Sequence, residues 1–114
     1  MKTKQEIFNI VYTFLMKQGK RSQNGSFCAY RGKGGTKCAV GCLIPDSMYN
    51  LQMDLDAINV TSLFAQYPEV REYLGNQQFL LRLQYVHDNI PSVRWKRAFT
   101  DTAQYHGLTV PDIA

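Results

Sequence analysis

Phe27–Pro45, FCAYRGKGGTKCAVGCLIP, holds all three cysteines and four of the eight glycines, and it carries Arg31, Lys33 and Lys37 without an acid. Residues 27–31 have the aromatic and small apolar character of a strand, 32–35 form a glycine-rich connection, and 36–44 suit a longer strand. The expectation is an antiparallel β-hairpin. Gly41 inside the second arm implies a bulge or a close backbone approach. A short helix starting at Ala39 competes with the strand, because a run such as AVGCLI cannot be typed by periodicity alone. In a hairpin, a pairing sum of 66 sets Cys28 opposite Cys38, and a sum of 67 sets it opposite Ala39.

The flanking sequence is helical. Thr3 and Glu6 make a capping box before Ile7, Phe8, Val11, Phe14 and Leu15, which recur at helical spacing with Ile10 and Tyr12 widening the stripe. Gly19 suits the C-cap. Ser22–Ser26 (SQNGS) is a turn by composition. Residues 46–58 have no clear period and are expected to fold over the core as a loop with a short helix or strand. A short helix follows from Asn59 to Tyr67, with a new start at Pro68 and an end at Gly75. Asn76 is placed as N-cap of a helix over 77–89, with Phe79, Leu80, Leu83, Val86 and Ile90 on one face. Ser92 is placed as cap of a last helix, 93–106, with Trp95, Ala98, Phe99, Thr102 and Ala103 inward and Gly107 as its stop. Helices and strands are segregated, so the expected fold is α+β: an N-terminal helix, a small antiparallel β-hairpin, then a C-terminal helical layer, in a single compact domain over residues 1–114.

Composition narrows the classes. The chain has 114 residues, 45% of them hydrophobic, enough for one core without staples. An odd cysteine count points to a reducing, cytoplasmic setting. Ile7–Met16 is interrupted by Asn9 and Thr13 and lacks a small-residue cleavage site, unlike a secretory signal, and no stretch suits a membrane span. The net charge of +4 is unevenly spread: residues 1–45 carry eight Lys/Arg against Glu6 alone, and the remainder carries five against eight acids. Such a field steers anions toward the N-terminal half.

These residues admit several chemistries. Cys28, Cys38 and Cys42 with His87 or His106 would make up a zinc set, but no close C-x2-C pair is present, and on an extended strand Cys38 and Cys42 stand roughly 13 Å apart. A thiol nucleophile would need Cys28 or Cys38 beside His87 or His106, oriented by Asp88, with basic neighbours lowering the thiol pKa. The plainer reading makes the cysteines buried packing residues, His106 a cation at a helix end and His87 a helix-end residue beside Asp88. Gly32–Lys37 is not a Walker A loop, since the order is scrambled and no helix follows. What remains is a basic hairpin. Lys20, Arg21, Arg31, Lys33 and Lys37, with Tyr30 as a stacking ring, are the candidate ligand-binding residues, and no metal, cofactor or catalytic residue is expected.

CAYRGKGGTKCAVGCLIPD (28–46) and LLRLQYVHDN (80–89) resemble a family of small uncharacterised proteins encoded by bacteriophages and prophages. The likeness runs through a Cys-Tyr-Arg-Gly turn, a Cys-Ala-x-Gly-x-Leu-Ile-Pro segment and a Leu-rich helix ending at a His-Asp pair, and it covers most of residues 5–107. The resemblance implies an accessory protein inside the host bacterium. The expected function is non-catalytic binding that inhibits or sequesters a host component, either a protein or an anionic nucleotide or nucleic acid. A small thiol- or metal-dependent enzyme on a phosphorylated substrate is the alternative.

Overall fold

The hydroxyl of Thr3 accepts from the Glu6 amide at 3.1 Å while the Glu6 carboxylate accepts from the Thr3 amide at 2.9 Å, and this reciprocal box opens α1 (Lys4–Gln18). Gly19 closes the helix in the left-handed region at φ 69°, its amide donating to the Leu15 carbonyl. Ile7, Phe8, Val11, Tyr12 and Leu15 are buried along one face, Phe14 is half-buried, and Ile10 falls outside the stripe. The structure is a computed structural model that describes residues 1–24 and 27–113, so two residues of the expected 22–26 turn, Gly25 and Ser26, lie outside the described residues.

The hairpin between 27–31 and 36–44 does not form. Phe27–Cys28 (β2) pairs antiparallel with the preceding Gln23–Asn24 (β1), in register Gln23↔Cys28. Only one bridge, Arg31↔Lys37, links the two expected arms, a sum of 68 that matches neither register considered. Two competing partners explain the loss. The Tyr30 and Arg31 amides both donate to the Asp54 carboxylate, at 2.7 and 3.1 Å, and since adjacent N–H groups of a strand point to opposite sides, one of the two is an amide that a ladder would have used. Beyond Lys37 the chain coils: Cys42 N–H donates to Cys38 O at 3.0 Å, and Gly41–Leu43 is a 3-10 turn. Coiling buries Ala39, Val40, Leu43 and Ile44 together, where an extended strand would turn alternate residues outward. Gly41 is the point of close approach, because a Cβ there would overlap the Tyr30 carbonyl.

The rest is helical. Residues 46–58 contain α2 (Gln52–Leu55), anchored by buried Met53. Asn59 caps α3 (Val60–Gln66) through its side chain, Pro68 starts α4 (Pro68–Leu74), and Gly75 ends it. Asn76 does not cap α5 (Gln77–Asn89): it lies in the left-handed region at φ 53°, and its side-chain amide donates to the Lys2 and Leu74 carbonyls. Ser92–Arg94 is a 3-10 turn with no side-chain cap, leading into α6 (Trp95–Tyr105).

The core lies where α1 packs on α6 and on the Gly41–Leu43 turn, with α5 between α6 and α3. Phe99 meets the rings of Phe8 and Tyr12 edge-on, and Phe8 stacks on Tyr12 at 5.5 Å. A radius of gyration of 13.2 Å is that of a compact chain of this length. The protein is therefore one compact, mostly helical domain, and the expected α+β class is met only by its helices and a two-residue strand pairing. Among the described residues no helix is long and apolar enough to cross a membrane.

Candidate functional site

His87, in the last turn of α5, is fully buried, and its ring stacks against Trp95 at 5.5 Å. The amide of Ser22 donates to its Nε2 at 3.0 Å, which requires a lone pair there and puts the ring proton on Nδ1. Nδ1–H then faces Asp88 Oδ1 at 2.7 Å. Gln84, one turn earlier, donates to the same oxygen at 2.8 Å. Burial raises the Asp88 pKa, but the hydrogen bonds from His87 and Gln84 outweigh it and leave the carboxyl below the ordinary 3.8, so it is ionised at neutral pH.

Cys28 completes the cluster, with its sulfur and the ligand atoms of His87 and Asp88 all within 4.8 Å of one another. These are the residue types that a thiol enzyme or a metal site would use, and the geometry suits neither. Burial, reinforced by the Asp88 charge, pushes the Cys28 thiol from the ordinary 9.0 up to about 11, the reverse of an activated nucleophile. Neither imidazole nitrogen is free to take the thiol proton, and Nδ1 can offer a metal its lone pair only if the Ser22 amide loses its acceptor. Burial likewise raises Cys38 and carries Cys42 to about 12. Cys38 is buried and Cys28 and Cys42 are half-buried, so the expectation of three interior cysteines holds in full for Cys38 alone.

The expected ligand-binding residues divide by what their side chains already hold. Arg21 donates from Nε to the His87 carbonyl and from an Nη to that of Ile90, closing the C-terminus of α5. Arg31 pairs with Asp46 at 2.7 Å, reaches the Ile44 carbonyl and lies over the Tyr49 ring at 4.1 Å. Tyr30 is buried, its hydroxyl donating to the Ile58 carbonyl, so its ring presents no stacking face. Lys20 and Lys33 are exposed and Lys37 is half-buried. The Gln18 side chain gathers this region by donating to the Lys20 and Lys37 carbonyls at 2.8 and 2.9 Å and accepting from the Lys37 amide. His106 is not a helix-end cation: its ring packs edge-on against Phe79, and burial with nearby Lys4 holds its pKa below the ordinary 6.5.

Beside this network, with Asp88 and Gln84 belonging to both, the surface opens into a cleft of about 430 Å³. Leu81, Gln84, Tyr85 and Asp88 form one wall as a single face of α5, Cys28–Tyr30 and Cys38 form the floor, and Asp54 with Ala57–Val60 forms the far side. Asp54 is occupied by the Tyr30 and Arg31 amides and the Tyr49 hydroxyl. Sequence reasoning had set Cys28, His87 and Asp88 side by side as types but had no measure of Asp54, Gln84 or Ser22, whose roles follow from contacts between residues 24 to 65 positions apart. Comparison with protein-family models, with curated proteins and with solved structures finds no match.

Proposed function

We propose that the protein is a phage-borne accessory protein that acts by non-catalytic binding of an anionic partner, a nucleotide or nucleic acid before an acidic host protein, and thereby inhibits or sequesters it. The observation that carries this reading is the set of lysines around the Gln18 junction. Lys17, Lys20, Lys33 and Lys37 surround the C-terminus of α1 and the 32–36 turn, and among the described residues none of them ion-pairs with a carboxylate. Unpaired cations on a contiguous backbone are what phosphate neutralisation requires. Arg21, Tyr30 and Arg31 support the surface from beneath and do not contact the ligand. Against the enzyme reading stand the raised thiols and the committed nitrogens of His87.

The test is binding of a fluorescent single-stranded oligonucleotide across a salt series. A triple variant, Lys20→Ala, Lys33→Ala and Lys37→Ala, is expected to flatten the dependence of log affinity on log salt by about 2, at ~0.7 per lost single-strand phosphate contact. Unchanged affinity and slope would overturn the nucleic-acid form. Capture from bacterial lysate by the wild type and by the triple variant tests the host-protein form, which predicts a band that the variant loses.

A further inference from the structure

We infer that the cleft between α5 and the 54–60 segment is a second binding site, of opposite polarity to the lysine surface, for a small organic cation carrying an apolar body. Its volume of about 430 Å³ falls within the range of small-molecule pockets. Ala29, Ile58, Val60 and Leu81 supply apolar wall, and no lysine or arginine lines it among the described residues. The hydrogen bonds from His87 and Gln84 both fall on Asp88 Oδ1 and the neutral Cys28 thiol is a weak donor beside the carboxylate, so Oδ2 has no N–H or O–H donor among the described residues. The carboxylate is about one-third exposed, at 32%, and is oriented from behind by His87 and Gln84. It is thus a fixed negative acceptor on the wall of a mostly apolar cleft, and a charged donor satisfies it better than water does. Tyr85, half-exposed at the rim, carries the Arg82 guanidinium over its ring at 5.4 Å, so its part in the cleft is apolar wall.

The probe is benzylamine, with benzyl alcohol and benzoate as neutral and anionic counterparts, followed by amide chemical shifts on the full chain. Benzylamine is expected to give saturable shifts confined to residues 28–30, 54–60 and 81–89, benzyl alcohol weaker ones, and benzoate none at these positions. Asp88→Asn keeps an acceptor for His87 and Gln84 and is expected to weaken benzylamine about tenfold, the loss of one charge-assisted contact. Leu81→Trp, which fills the cleft while leaving every residue of the Asp88 network unchanged, is expected to abolish the shifts while the melting temperature stays near that of the wild type. The lysine triple variant is expected to bind benzylamine as the wild type does, which separates this site from the anionic one. Shifts that do not saturate, equal binding of benzoate, or undiminished binding by both Asp88→Asn and Leu81→Trp would overturn the proposal.

Discussion

The Ser22 amide and His87 Nε2, 3.0 Å apart and both fully buried, join the segment after α1 to the last turn of α5 across 65 residues. Neither group has access to water, so each needs the other. Removing the imidazole strands the Ser22 N–H, takes away one of the two N–H donors on Asp88 Oδ1 and leaves a cavity beside Trp95. His87→Ala is expected to lose about 3 kcal/mol or more of stability, and Asp88→Asn only about 1, because the amide oxygen still accepts from Nδ1–H. Urea unfolding followed by Trp95 fluorescence measures both. Equal, small losses would show that the ring is not the pin described here.

Arg21 and Lys20 are adjacent cations with different work. Arg21 closes two carbonyls at the end of α5, whereas the Lys20 side chain is exposed and holds no partner among the described residues. Arg21→Ala is expected to cost about 1–2 kcal/mol, and Lys20→Ala to stay within about 0.5. Thermal melts of the two variants provide the comparison, and the opposite ranking is expected for oligonucleotide affinity.

Gly41 and Ala57 are expected to respond in opposite directions to a change of one methyl group. At Gly41 an added Cβ would overlap the Tyr30 carbonyl, a backbone atom that cannot swing aside, so Gly41→Ala is expected to cost about 3 kcal/mol. Ala57 is exposed and sits at φ 49°, where an L side chain is strained by about 1–2 kcal/mol. Glycine relieves that strain and gives back about half in unfolded-chain entropy, so Ala57→Gly is expected to stabilise by about 0.5–1 kcal/mol. Denaturation midpoints of the two variants should move to either side of the wild type.

The thiols set an alkaline limit. Cys28 titrates near 9.0 when unfolded and near 11 when folded, so between these values the folded state holds the proton that the unfolded state has lost, and stability falls as pH rises through this window. Asp88 works in the other direction: its folded pKa lies below 3.8, so its contribution is present above that value and is lost as pH falls through the folded one. At pH 8 the shift from 9.0 to about 11 leaves about 100-fold less thiolate on Cys28 than on an unperturbed cysteine, and iodoacetamide labelling of native protein should slow accordingly. Labelling at the rate of a free thiol would reinstate a reactive cysteine.

Helix ends were legible wherever a local rule decides them. Thr3 with Glu6, Gly19, Asn59, Pro68 and Gly75 all act where the sequence places them, because each satisfies or removes a backbone group within a few residues. Asn76 and Ser92 have the composition of caps and do not cap. Asn76 turned its amide to the Lys2 carbonyl, a partner 74 residues away that spacing cannot reveal. The lysine surface was half legible: positive charge is a property of composition, but which cations are free depends on what reaches them.

For Phe27–Pro45, the amino-acid sequence by itself determined that the segment is basic, that it turns at its glycines, and that Gly41 marks either a bulge or a close backbone approach, of which the structure has the second. Only the tertiary structure decided that the two arms do not pair. Asp54 arrives from α2 to take the amides of Tyr30 and Arg31, and coiling after Lys37 buries four apolar side chains at once. A hairpin ladder and a carboxylate compete for backbone N–H on the same residues, and the winner is set by where distant residues are held, a quantity that no local pattern contains.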